Sequence, residues 1–232
     1  MGTKSFRFAD MRAEEKLADF MDHCFYSKLH DLNGDSIQFR RIKDKEGQLA
    51  GVDVELLLKD RTIRIDEKAS LYYSNAMIPT FAFEIDSIQK GHVEPVQGWF
   101  VNDSLSADYY MLIWPNLKCK KVGKDWVRKS IGSIQEHDFT IVEAVLIEKE
   151  KLLMEIQHRG YSTNRLMEYA RRLRNMVGQS NEQQAEDLDE DIKIVYSGAL
   201  AEKPINAVVR KSLLLNLAAG VYLISEDGYA KI

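Results

Sequence analysis

The chain has 232 residues, of which 45% are apolar and 29% charged, with a formal net charge of −4; this balance supports a substantial core and excludes a wholly disordered chain. No apolar run approaches a membrane span, and the start from Met1 to Arg7 lacks the apolar centre of a signal peptide, so a cytoplasmic protein with no membrane partner is expected. Cys24 and Cys119 stand far apart, which excludes a zinc-finger-type site, and the negative net charge means that any nucleic-acid contact must rest on local basic surface.

From about Asp10 to His30, the residues Leu17, Ala18, Met21, Cys24 and Phe25 recur at helical spacing and predict a first helix with one apolar face. Glu14 shares that face, whereas Glu15 is turned about 100° toward solvent. A turn at Asn33, Gly34 and Asp35 leads into a short strand through Ile37 and Phe39, which ends in the polar loop 43–47. Residues 51–69 then read as a β-hairpin. Val52 and Val54 point to one side and Asp53 and Glu55 to the other; on the second strand Ile63 and Ile65 oppose Arg64, Asp66 and Lys68. The polar residues 59–61 supply the turn, and Glu67 falls on the face opposite Asp66 and Lys68.

Asp53, followed across a hairpin by Asp66, Glu67 and Lys68, resembles the signature of the PD-(D/E)xK nuclease superfamily, with Val52 where that signature has its proline. The resemblance implies an α/β, restriction-endonuclease-like fold with a central mixed β-sheet flanked by helices. It also implies metal-dependent endonuclease or exonuclease hydrolysis of phosphodiester bonds in DNA, with RNA the second choice. Asp53 and Asp66 would hold Mg²⁺ or Mn²⁺, because a hard cation prefers oxygen ligands and can polarise a phosphate. Lys68 would orient the attacking water or offset developing negative charge. Several branches of the superfamily carry a first-helix glutamate that reaches the metal or a water beside it, and Glu14 looks like that residue. A plain hairpin with a solvated charged face shows the same alternation, and an acid near a helix N-terminus is favoured by the helix dipole alone. The rival reading is a non-catalytic nucleic-acid-binding or protein-interaction module on the same scaffold. The oligomeric state, a homodimer included, stays open.

Downstream, a connector over 71–78 closes at Pro79 and is followed by a strand over 80–86, with Phe81, Phe83 and Ile85 on one face. Glu84 points the other way; in a sheet adjacent to the hairpin it would be a further metal ligand beside Asp66, although an exposed strand glutamate is the commoner explanation. Residues 98–103 and 108–115 suggest two more strands, the second ended by Pro115. The basic loop 118–129 offers Lys120, Lys121, Lys124 and Arg128 to phosphates, while Trp126 either stacks on a base or anchors the loop. A strand over 139–147 precedes a helix from Glu148 to His158. A second helix, starting near Ser162, carries the stripe Leu166, Tyr169, Ala170, Leu173 and Val177 and leaves Arg171 and Arg172 for nucleic acid or solvent.

This reading divides the chain into a nuclease-like core over 1–178, a mobile acidic linker over 179–191, and a β-rich segment over 192–232. The last is too short for a core of its own, so it is expected to pack on the first. No Walker loop, dinucleotide fingerprint or serine-nucleophile elbow occurs.

Overall fold

The computed structural model describes residues 7–89, 91, 92, 94–178 and 180–232. In chain order the elements are α1 (Arg7–Cys24), β1 (Gln38–Arg41), the short α2 (Lys45–Leu49), β2 (Val54–Leu57), β3 (Thr62–Ala69), β4 (Thr80–Ser87) and β5 (Val96–Gln97). They continue with β6 (Tyr109–Leu117), β7 (Cys119–Val122), β8 (Asp125–Arg128), β9 (Phe139–Glu148), α3 (Lys149–His158) and α4 (Thr163–Val177). The last are β10 (Gln183–Asp187), β11 (Ile192–Ser197), β12 (Ile205–Arg210), α5 (Lys211–Leu217), β13 (Gly220–Ser225) and β14 (Gly228–Lys231). Among the described residues, no helix is long and apolar enough to cross a membrane.

The chain is α/β and forms two compact units that interleave in sequence: one is built from 7–78, 106–148 and 218–232, the other from 79–105 and 149–217. This division differs from the expected core, linker and appended segment. Strand pairing between distant stretches decides it, since β13 pairs with β9 in the first unit and β12 pairs with β4 in the second.

In the first unit the strand order is β1-β2-β3-β6-β9-β13-β14. β3 and β6 run parallel while the other neighbours are antiparallel, so this is a mixed sheet. Helix α1 buries Ala13, Leu17, Phe20, Met21 and Cys24, positions that recur every three or four residues along one face. They share a core with Val54, Leu56, Ile65, Met111, Ile113 and Ala144 from the strands. Each large apolar side chain so buried contributes about 1.5–3 kcal/mol, which makes packing rather than intrinsic propensity the force that holds α1. The helix stops at Cys24, short of the expected His30. Phe25 and Tyr26 leave the helical track there to join an aromatic group with Phe39, Tyr222 and Tyr229.

In the second unit an antiparallel sheet, ordered β10-β11-β12-β4-β5, is accompanied by α3, α4 and α5. Helix α4 matches its sequence signals: the Ser162 hydroxyl caps its start, Gly178 ends it, and Leu166, Ala170 and Leu173 are buried. The acidic stretch expected as a mobile linker contains strand β10, paired with β11 over its whole length. Its charge is met locally. Asp189 accepts the N–H groups of Asp191 and Ile192, and Arg159 bridges to Asp189 and Asp191. Residues 98–103 do not form a strand. Only Val96 and Gln97 pair with β4, and the chain then folds back so that Trp99 and Phe100 pack on Phe83. Gly98 permits that return, because a Cβ there would lie 2.4 Å from the Glu84 carbonyl oxygen.

Candidate active site

The hairpin of β2 and β3 sets the geometry. Its register ends with Val54 opposite Ile65, which leaves Asp53 just before β2 at the level of Ile65 and Asp66. Asp53 is fixed from both sides: its N–H donates to the Ile65 carbonyl at 2.9 Å and its carbonyl accepts from Ile42 N–H at 2.8 Å. The approach to it is shaped by α2, where the Asp44 carboxylate accepts the Gly47 N–H at 2.8 Å, and by Gly51, whose φ of 68° turns the chain into β2.

On this face the polar residues divide into two sets. Glu55 pairs with Arg40, and Arg64 with Asp108, as ordinary surface ion pairs. Asp53, Asp66 and Lys68 instead face one another. The Lys68 ammonium donates to Oδ1 of Asp66. Oδ2 of Asp66 is buried and receives no hydrogen bond, and the Asp53 carboxyl lies near enough to act on the Asp66 carboxyl. Burial, with the Asp53 charge adding to it and Lys68 opposing it, pushes the Asp66 carboxyl up to about 7. Burial works against the Lys68 ammonium, but Asp66, Asp53 and Glu14 outweigh it and hold Lys68 above the ordinary lysine value. Lys68 therefore stays charged at neutral pH. Asp53 is half-buried and Lys68 partly exposed, so the cluster has an open side.

Glu67 points to the opposite face, as the alternation requires, and there anchors the strand. Its carboxylate accepts from the Tyr26 hydroxyl at 2.8 Å and from Arg41, which also reaches Asp22. The Glu67 backbone N–H, in turn, donates to Oδ2 of Asp53 at 2.8 Å. One residue thus ties the buried ion network on the α1 side to the carboxylate on the other. This network was not foreseen from the sequence. The only signal for it was that Arg41 ends a strand of alternating character.

Glu14 on α1 comes close enough to Lys68 and Asp53 to feel both charges. Desolvation raises its carboxyl, Lys68 opposes the rise, and Asp10 and Asp53 add to it. The Tyr72 hydroxyl donates to Oδ1 of Asp10 at 2.6 Å, tethering the first turns of α1 to the segment just after Lys68. Tyr110 was not foreseen either: it neighbours Asp66 in the β3–β6 register, and burial followed by the Asp66 charge raises its hydroxyl.

The other expected site residues lie elsewhere. Glu84 is on β4, whose neighbours are β12 and β5 rather than the hairpin, and its carboxylate accepts from the Ser87 hydroxyl at 3.2 Å. Its expected place beside Asp66 in an adjacent strand is therefore corrected, because β3 takes β6 as its second neighbour. Arg171 and Arg172 are on α4 in the second unit; Arg172 lies over Tyr169 and bonds to Glu186 on β10, so it fastens the sheet edge. The basic stretch 118–129 is not a loop: Lys120, Lys121, Trp126 and Arg128 belong to the two-stranded hairpin β7–β8, with Lys124 in its turn. Arg128 donates to the carbonyls of Tyr72 and Ser74.

Among the described residues, no three His, Cys, Asp or Glu side chains form a complete metal-binding group. A hard divalent cation does not need one, since Mg²⁺ is commonly held by one or two carboxylates, with water and substrate phosphate filling the remaining positions. Two carboxylates held close together, one with a buried unbonded oxygen, fit such an ion by charge and by donor type. Comparison of the chain with protein-family models, with curated proteins and with solved structures found no match.

Proposed function

We propose that the chain is a metal-dependent nuclease of the restriction-endonuclease-like type, hydrolysing phosphodiester bonds of DNA and, as second choice, RNA. The observation that supports it is the mutual engagement of Asp53, Asp66 and Lys68 on one hairpin face while the remaining charges of that face pair off separately. Asp53 and Asp66 would hold Mg²⁺ or Mn²⁺. When bound, the ion supplies positive charge that polarises the phosphate and lowers the pKa of water. Lys68, charged and partly exposed, offsets the negative charge that gathers on the phosphate oxygens and orients the attacking water. Glu14 would accept a hydrogen bond from that water. Glu67, clamped by Arg41 and Tyr26, keeps Asp53 aimed through its backbone N–H.

The test is cleavage of plasmid, single-stranded DNA and RNA in Mg²⁺ and Mn²⁺ by the wild type and by Asp66→Ala and Lys68→Ala. Loss of one group that stabilises transition-state charge costs about 10²–10³ in rate, so both variants should fall at least 100-fold while keeping a cooperative melt. Cleavage at the wild-type rate by either folded variant overturns the assignment. The rival, a nucleic-acid-binding module without chemistry, draws support from the exposed basic hairpin β7–β8. It predicts binding without cleavage in the wild type.

A further inference from the structure

The hairpin β7–β8 stands out from the surface of the first unit: every residue of both strands is exposed. Its register sorts the basic stretch into two faces. Lys121 lies opposite Trp126, and Cys119 opposite Arg128, on one side; Lys120 opposite Val127, and Val122 opposite Asp125, lie on the other. Gly123, with φ of 63°, takes the first place of the two-residue turn, where a positive φ is needed. Trp126 is 71% exposed, so the face of its indole is open to a partner that can stack on it. Residues 118–129 hold Lys118, Lys120, Lys121, Lys124, Arg128 and Lys129 against the single acid Asp125, in a chain whose net charge is −4.

The root of this hairpin is tied to the segment that follows the candidate catalytic lysine. Arg128 donates to the Tyr72 carbonyl at 2.5 Å, and Tyr72 is four positions after Lys68, a span of at most about 14 Å. Tyr73, next to the tethered residue, is 59% exposed. The arrangement combines a flat π-face, a cation directly across from it, and a short path to Lys68.

We propose that the Lys121–Trp126 face of β7–β8 binds unpaired nucleotides of a single-stranded nucleic acid, Trp126 stacking on a base while Lys121 meets the adjoining phosphate. Charge complementarity selects a polyanion, and the exposed indole selects one whose bases are free to stack, which a closed duplex does not offer. Combined with the nuclease reading, on which this part rests, the substrate is a strand with single-stranded nucleotides beside the scissile phosphate.

The experiment measures binding by full-length protein in EDTA, so that it does not depend on cleavage. The probes are fluorescein-labelled oligo(dT) and oligo(U) of 16 nucleotides and a blunt duplex of equal length. Single strands should bind at least about tenfold tighter than the duplex and quench tryptophan emission. Trp126→Ala should weaken single-strand binding about tenfold, in line with the loss of one base stack, and Trp126→Phe should restore most of it. Lys121→Glu should weaken binding more than Lys120→Glu, which carries the same charge change on the opposite face. The dT and U arms tell DNA from RNA; binding to either supports the proposal and failure of both overturns it. Equal affinity for duplex, wild-type binding by folded Trp126→Ala, or equal effects of the two lysine changes also overturns it. A wild type that binds single strands through Trp126 but cleaves nothing leaves this proposal standing and removes the nuclease reading. Cleavage that is indifferent to Trp126→Ala does the reverse.

Discussion

Replacing Asp66 by asparagine should change how stability depends on pH even with no metal present. The Asp66 carboxyl is 1% exposed, and burial first, then the Asp53 charge, lifts it from 3.8 to about 7 despite the opposing Lys68. Its folded-state value lies above its unfolded one, so the folded protein holds this proton more tightly than the unfolded chain. The stability contributed by this one group is therefore fully present below about pH 4, is lost as pH rises from about 4 to about 7, and levels off above that. Roughly three pH units at about 1.4 kcal/mol each amount to about 4 kcal/mol. In a chain of this size, 1 kcal/mol moves Tm by about 2–4 °C, so the wild type should lose about 10 °C more than Asp66→Asn between pH 4 and pH 8. The assay is a set of circular-dichroism melts in EDTA across that range. Glu14 and Glu67 are also raised by burial and slope the same way, but both chains share them, so the difference between the curves isolates Asp66. Parallel curves for wild type and variant would refute the reasoning, because they would mean that the Asp66 proton is held no more tightly in the folded state than in the unfolded one.

Mn²⁺ at about 100 times its dissociation constant should stabilise the wild type by about 2.7 kcal/mol at pH 8. It should do far less for Asp53→Asn or Asp66→Asn, and a wild-type melt indifferent to the ion counts against the site. Glu14→Gln should slow cleavage more than Glu15→Gln, since Glu14 feels the charges of Lys68 and Asp53; equal rates on one substrate at one metal concentration return Glu14 to an ordinary helix acid. Arg41→Met strands the Glu67 and Asp22 carboxylates and should cost about 3–5 kcal/mol in urea unfolding. A loss below about 1 kcal/mol would show that the network carries little of the fold.

The hairpin and its faces were legible in the sequence because strand alternation is a local property. Val54 and Ile65 had to be buried, and that alone put Asp53, Asp66 and Lys68 on the other side and Glu67 behind them. Helices α1 and α4 announced themselves for the same reason: apolar spacing, a capping serine and a closing glycine all act within one or two turns. The hairpin β7–β8 was readable as basic and aromatic, but not as two faces, since that needs the register Lys121 with Trp126.

What the sequence could not decide was which distant stretches become neighbours. β4 alternates as well as β3 does, yet it pairs with β12 and β5, which removes Glu84 from the hairpin, while β3 takes β6 and gains Tyr110 beside Asp66. Residues 183–187 read as a solvated linker because their own composition buries almost nothing; β11 makes them a strand by supplying backbone partners along an open edge. The Tyr26–Glu67–Arg41–Asp22 network joins residues from three separate stretches of the chain, so no local pattern marks it. Side-chain direction follows from each strand's own geometry, whereas strand neighbours follow from the competition of every exposed edge for hydrogen bonds and of every apolar face for cover, which only the whole fold resolves.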